Sequence, residues 1–242
     1  MTKVLTNIFG EQTVLFYKNF IEQEYYMVIL EGLKYTLGLT AIALVIGIVI
    51  GLVVALIQIS IAPKKKGIWY YVLKLLKFIS SAYIYIIRGT PVVLQIVLMW
   101  NVVFATSEIN RIWIGGLAFG INSGAYMAEL IRAGIQGLDK GQMEAGRSLG
   151  FGYAQTMRYI VFPQAITQML PAIISEFIVL IKETAIIGYI GGLDLMKAQD
   201  IIMSRTFNAL QPLLIVGVCY FILTSGFTVI MRTIEKKITV GK

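Results

Sequence analysis

From Tyr35 to Pro63 the chain carries no Asp, Glu, Lys or Arg. A helix rises 1.5 Å per residue and a hydrocarbon core is about 30 Å thick, so about 20 apolar residues suffice to cross it. Leu37 to Ile57 alone meets that length. Composition agrees: 57% of the 242 residues are hydrophobic and 14% are charged, where a soluble domain carries about 25% charged residues. One compact soluble domain is excluded, and the fold class expected is an all-α polytopic membrane protein.

Reading onward for uncharged runs gives about five transmembrane helices, at 35–58, 84–107, 112–136, 160–190 and 207–231. Gly89-Thr90-Pro91 should break regular helix inside the second. The fourth is interrupted by Glu176, Lys182 and Glu183. Trp69 to Ser81 reads as amphipathic and interfacial, because Lys74 and Lys77 share a helical face that Leu76 avoids. Residues 1–31 form an amphipathic N-terminal segment without a cleavable-signal pattern, 32–232 the membrane domain, and 233–242 a tail.

Five spans put the termini on opposite sides, and loop charge chooses which. The loop with Lys64, Lys65, Lys66, Lys74 and Lys77, the segment from Arg132 to Arg158, and the tail together hold 13 of the 21 basic residues. The other side holds six, and Arg88 and Lys182 lie at membrane depth. The positive-inside rule then predicts the N-terminus outside and the C-terminus in the cytoplasm. Lys64-Lys65-Lys66 beside Trp69, Tyr70 and Tyr71 has the composition of a nucleic-acid patch. Next to a span it reads instead as a topology signal and headgroup anchor, so no nucleic-acid partner is expected.

The chain has no His and a single Cys219 inside an apolar run. That removes His-based catalysis and the usual zinc ligand sets, so no catalytic residue, metal or cofactor of its own is expected. No GxxxxGK[ST] phosphate loop occurs either, so nucleotide chemistry must belong to another protein.

The longest polar interruption, about 137–159, falls on the predicted cytoplasmic side. Glu144-Ala145-Gly146 read as small-residue positions at the start of a helix, Gly150 and Gly152 permit a tight turn through positive φ, and Pro163 opens the next span. This segment resembles the EAA loop of the membrane subunits of ATP-binding cassette importers, whose pattern is E-A-A-x-x-x-G, nine residues, then I-x-L-P. Glu144, Ala145, Gly150, Ile160 and Pro163 match at that spacing; Gly146 replaces the third-position Ala and Phe162 the Leu. Arg88-Gly89-Thr90-Pro91 with Gln95, Gly124-Ala125-Tyr126 with Glu129 and Arg132, Gly141-Gln142, Phe162-Pro163-Gln164-Ala165 and Lys182-Glu183-Thr184 narrow the resemblance to the type I, polar amino-acid branch.

The resemblance implies a non-catalytic permease subunit in a prokaryotic plasma membrane, moving a polar amino acid. It implies two partner ATPase subunits that bind ATP and Mg, a second permease subunit (self or close relative), and an external substrate-binding protein. It also implies that Glu144, Ala145, Gly146, Gly150 and Pro163 form the ATPase-coupling loop, with Gly146 shrinking the joint. The rival class is an ion-gradient-driven secondary transporter or channel subunit, with Glu176 and Glu183 as ion sites.

Pathway candidates carry a plain structural alternative beside the functional one. Glu129 and Arg132 are i,i+3 neighbours that either line the path or staple the helix. Glu176, with Ser175 before it and Lys182 six residues on, either faces a cavity or packs as an ion pair. Gly89 and Thr90 mark a broken helix whose backbone groups either meet substrate or form a simple junction. Gln95, Asn122 and Tyr126 supply neutral hydrogen-bonding groups that either line the path or bind neighbouring helices.

Overall fold

The computed structural model of the chain describes residues 10, 16–61 and 66–240. The described residues are helical throughout, with no strand among them. After a π-helical turn at Tyr17–Glu22 come α1 (Tyr25–Ile59), α2 (Ile68–Arg88), α3 (Val92–Leu98, prolonged by a π turn at Met99–Val103) and α4 (Arg111–Gln136). A polar segment follows with α5 (Lys140–Ser148) and α6 (Tyr153–Thr156, prolonged at Met157–Val161). Then come α7 (Phe162–Glu183, with a 3₁₀ turn at Thr184–Ile190), α8 (Leu195–Thr206) and α9 (Leu210–Val240).

The molecule is organised by the seam between α1 and α4. Gly116, Gly120 and Gly124 of α4 lie against Ile42, Ile46 and Ile50 of α1, each pair advancing by one four-residue step, so the two helices run parallel. A Cβ on Gly120 would stand 2.6 Å from Ile46 Cβ, and one on Gly124 would stand 2.9 Å from Ile50 Cβ. The notches are reciprocal, because a Cβ on Gly51 of α1 would meet Met127 Cβ at 2.5 Å. Small residues let apolar helices approach backbone to backbone, which is how association is driven where lipid removes the hydrophobic advantage of burial. α7 packs antiparallel to α4, with Met169 against Gly134 near one end and Ile187 against Gly115 near the other.

Three apolar clusters follow this axis. Leu39, Ala43, Ile96, Phe119, Leu180 and Ile187 fill the middle. Ile29, Leu195, Ala198, Ile202 and Val216 join α8 and α9 to the start of α1, and Ala55, Ile131, Val161, Ala165 and Met169 close the opposite end. At the α8 end, buried Asp194 caps the helix by accepting from the Met196 and Lys197 amides at 3.0 Å, and Tyr220 of α9 donates to the same carboxylate at 3.3 Å. α2 and α9 instead leave large apolar side chains exposed, among them Phe78, Tyr85, Phe221 and Val229. Such faces suit lipid or a partner helix.

Three described helices are long and apolar enough to cross a membrane: α1, α2 and α9. This alters the boundaries expected from charge runs. α1 begins at Tyr25 and passes through Glu31 and Lys34, so the division at 31/32 falls inside a helix. The segment 84–107 is cut at Gly89–Pro91, leaving a 12-residue apolar helix at Val92–Val103, while Trp69–Ser81 belongs to a 21-residue helix long and apolar enough to cross a membrane. The reason is that Lys74 and Lys77 lie within two and a half turns of the N-terminus of α2, where long stems let ammonium groups snorkel. An amphipathic reading weighs the face on which the two lysines fall and not their place along the helix. Residues 1–9 and 11–15 of the 1–31 segment, and Lys64–Lys65, lie outside the described residues.

The seam makes a direct prediction. Gly120→Ala should lower thermal stability in detergent by about 1–3 kcal/mol, because overpacking outweighs the gain in helix propensity. Adding Ile46→Ala should recover part of the loss. An unchanged or higher melting temperature for Gly120→Ala alone would show that the seam is not tight.

Candidate functional site

Residues 126, 129, 132 and 136 fall on the face of α4 turned away from the Gly116–Gly120–Gly124 seam, by helical periodicity. There a cavity of about 690 Å³ opens between α4, the C-terminal half of α2 and the end of α1. Tyr126, Glu129, Arg132 and Gln136 line it from α4, Ser81, Tyr85 and Arg88 from one face of α2, and Gln58 from the end of α1. The Arg88 guanidinium sits 5.1 Å from the centroid of the Tyr126 ring, within cation–π range. Glu129 and Arg132 pair through two contacts, Nε to Oε2 at 2.9 Å and Nη2 to Oε1 at 2.5 Å. Arg132 Nη1 also donates to Gln136 Oε1. Among the described residues Arg88 has no carboxylate within salt-bridge distance, so the wall offers its guanidinium and the Glu129–Arg132 ion pair to anything that enters.

The helix break lies at the rim of this cavity, and Gly89 lines it. Pro91 has no N–H, and the carbonyls freed at the break find side-chain partners. Thr90 Oγ1 donates to Ile86 O at 2.9 Å, and Gln95 Nε2 reaches Ile87 O at 2.9 Å and Thr90 Oγ1 at 2.8 Å. Asn122 Nδ2 then donates to Gln95 Oε1 at 3.0 Å, tying the repaired break to α4. The structure thus brings Thr90, Gln95 and Asn122 together, but as a closed network that satisfies backbone in an apolar setting. They are not free ligands lining the cavity.

Of the other sequence candidates, Tyr126 and Glu129 line the cavity, whereas Ser175, Glu176 and Lys182 do not. Ser175 Oγ donates to Pro171 O at 2.9 Å within its own helix, and Lys182 is exposed. Glu176 is half-buried, with the Glu183 and Arg88 charges acting on it, and the buried Ser123 hydroxyl faces it without closing a hydrogen bond. Gln58, Ser81, Tyr85 and Gln136 were missed. The signal for Gln136 was present, since Glu129, Arg132 and Gln136 are polar positions at i, i+3 and i+7 in a span otherwise rich in apolar and small residues. Gln58 and Ser81 meet only through tertiary packing, with Gln58 Nε2 donating to Ser81 Oγ at 2.9 Å.

α4 leads into the polar segment with only three residues between Gln136 and Lys140. Asp139 caps α5 by accepting from the Gly141 amide at 2.9 Å. Gly150 then reverses the chain at φ +86°, a conformation that side chains with a Cβ resist. Gln155 Oε1 accepts from the Gly152 amide at 2.8 Å and starts the return arm, and Gln164 Nε2 of α7 donates to Gln142 Oε1 of α5 at 3.0 Å. The result is a helix–turn–helix pinned to both spans that flank it, and Pro163 stands in the first turn of α7, as expected.

One expectation about this segment is corrected. Glu144, Ala145 and Gly146 occupy the second half of α5, not its start, because the Asp139 cap sets the beginning at Lys140. Gly146 faces inward: a Cβ there would collide with Thr156 Cγ2 and stand 2.8 Å from Ile160 Cδ1. Its small size serves the packing of the loop's own arms. Glu144 and Ala145 are the outward-facing, exposed members of the trio.

Residues 67–240 match the family model described as "Binding-protein-dependent transport system inner membrane component". The chain is 37% identical over 212 residues to the arginine transport system permease protein ArtQ of Bacillus subtilis (strain 168), covering 87% of this chain and 92% of that protein. It is 37% identical over 218 residues to the putative glutamine transport system permease protein GlnP of Rickettsia bellii (strain RML369-C), with 88% and 94% covered. Among solved structures, an amino acid ABC transporter with histidines superimposes with a TM-score of 0.79 at 41% identity over 89% of this chain and 96% of that one. The MetNI methionine ABC transporter in inward-facing form, at 22% identity and TM-score 0.71 over 88% and 97%, shares the fold. The chain belongs to the binding-protein-dependent transport family of inner membrane components, the permease subunits of ABC importers, in which ATPase activity sits on a separate subunit.

Proposed function

We propose that this permease carries a polar amino acid inward across a prokaryotic plasma membrane, through the cavity between α2 and α4. The observation that carries the reading is the charge arrangement on the cavity wall: Arg88, which among the described residues has no carboxylate within salt-bridge distance, with the Glu129–Arg132 pair on α4 beside Tyr126. A zwitterion presents a carboxylate and an ammonium a few ångströms apart, and this wall offers cationic and anionic partners at that scale. The names of the relatives, which transport arginine or glutamine, support the same substrate class. Glu129 and Tyr126 are the wall residues assigned to substrate, Gly89 belongs to the rim, and Glu176 acts from outside the wall through its charge. Membership of the family leaves the gradient-driven alternative without support.

Five crossings remain the reading, as α1, α2, α4, α7 and α9, with α2 in place of the segment 84–107. The parallel α1–α4 and antiparallel α4–α7 pairings support alternating crossings in that order. The ends of α1 and α4, the start of α2 and the loop share one end of the bundle around Ile59, Lys77 and Lys140, and that basic end is assigned to the cytoplasm. There two ATPase subunits, holding ATP and Mg, dock against Glu144 and Ala145. A second permease subunit and an external binding protein complete the importer.

Reconstitution of the whole complex in proteoliposomes tests the transport reading. Uptake of L-glutamine, L-arginine or L-histidine should require ATP on the loop side; uptake driven by an ion gradient without ATP, or no uptake of any amino acid, would sink it. In the same preparation Gly150→Val, which forces a β-branched residue to φ +86° at a cost of roughly 1–3 kcal/mol, should leave the subunit inserted while hydrolysis and uptake fall together. Normal hydrolysis and uptake would remove the loop from the mechanism. For orientation, Lys140→Cys in a Cys219→Ser background should react with an impermeant thiol reagent only from the cytoplasmic side, and Arg205→Cys only from outside. Labelling of Lys140→Cys in intact cells would reverse the topology.

A further inference from the structure

A second cavity, of about 620 Å³, lies beneath the loop. Its walls include Lys77 of α2, Lys140 and Met143 of α5, and Tyr153 and Met157 of the return arm. Among the described residues just two, Gln58 and Gln136, line both this cavity and the transport cavity. The two amides differ in how they are held. Gln58 is fixed to α2, donating to Ser81 Oγ at 2.9 Å and to Lys77 O at 3.3 Å. Gln136 is exposed, and the hydrogen bond that holds its side chain comes from Arg132 Nη1.

Glu129, Arg132 and Gln136 thus form a ladder along one face of α4. Its first rung lies in the transport cavity and its last between the two cavities. Arg132 engages Glu129 through Nε and Nη2 and Gln136 through Nη1, so its planar fork is committed in two directions at once. It cannot turn toward a third partner and keep both.

We propose that Gln136 is a positioning residue that reports occupancy of the transport cavity to the coupling loop, acting through Arg132. This rests on the reading that the cavity receives an amino acid. The carboxylate of an entering zwitterion competes with Glu129 for the Arg132 fork, or its ammonium competes with Arg132 for Glu129. Either exchange re-aims the guanidinium, because bidentate carboxylate geometry is stricter than a single amide contact. Nη1 then leaves Gln136 Oε1. Gln136 is the last residue of α4 and stands three residues before the Asp139 cap of α5, in a cavity it shares with Lys140 and Met143. Its released amide is within one helical turn of the element that the ATPase meets.

The test compares Gln136→Glu with Gln136→Met in the complete reconstituted importer. The two side chains are of similar length, but only the first accepts a hydrogen bond from Arg132. The readout is the ratio of amino-acid-stimulated to unstimulated ATP hydrolysis, with L-glutamine, L-arginine and L-histidine as probes and equilibrium binding of the same probes measured in parallel. Gln136→Glu should keep the ratio, and Gln136→Met should bring it down about five-fold or more, toward unity, while the probe still binds. A ratio preserved in Gln136→Met, or lost equally in both variants, overturns the proposal. Gln136→Ala, which also removes the acceptor but leaves Arg132 in place, gives the same comparison if Gln136→Met fails to assemble: a retained ratio overturns the proposal, and a ratio lost while the probe still binds supports it. Failure of the underlying reading shows differently, as absence of binding and stimulation in the unmodified complex.

Discussion

The interlocked seam between α1 and α4 fixes the position of everything else. In lipid, two apolar helices gain nothing by hiding from water, so their association rests on close van der Waals contact. Glycines at 116, 120 and 124 on one side and at 51 on the other supply that contact with isoleucine and methionine as the knobs. Once this face of α4 is committed to α1, the opposite face must look elsewhere. That face carries Tyr126, Glu129, Arg132 and Gln136, and α2 stands off it far enough to leave the cavity.

The polar residues near the cavity divide by whether their capacity is already used. At the break between α2 and α3, missing helical bonds would leave carbonyls exposed to hydrocarbon at several kcal/mol each. Thr90, Gln95 and Asn122 satisfy them through side-chain contacts that end on α4. Charge tells a different story. Among the described residues Arg88 has a ring for company but no carboxylate contact, and Glu129 shares its partner with an amide. Groups whose partners can be exchanged without stranding a buried backbone atom are the ones able to meet a substrate.

What the sequence disclosed followed how local each constraint was. The break at Gly89–Pro91 was legible because proline lacks an N–H whatever surrounds it, and the turn at Gly150 because positive φ is a property of one residue. The Glu129–Arg132 pair was legible because its spacing is helical. The cavity was not, because Arg88 meets Tyr126 across 38 positions in sequence and Gln58 meets Ser81 across 23. The extent of α2 was not legible either, because the face on which Lys74 and Lys77 fall does not say how far the helix runs. Small size is visible at Gly146, but the side that it faces is not.

These same contacts decide which parts of the molecule move as one. α1 and α4 interdigitate along three successive steps, so neither slides without forcing methyl groups into backbone. The loop is held to α4 by a three-residue junction with a capped helix start, and to α7 through the Gln164–Gln142 amide pair, so displacement of α5 is passed to both spans. α2 brings no glycine of its own to this unit, and meets its notches only where Tyr83 Oη lies 3.0 Å from the place of a Cβ on Gly124. It is joined to it by side-chain hydrogen bonds such as Gln58 to Ser81 and Tyr83 Oη to Ile121 O. A hydrogen bond of this kind contributes on the order of 1 kcal/mol, less than the overpacking that shifting the seam would impose. The boundary between α2 and α4 is therefore the softer of the two, and the cavity lies along it.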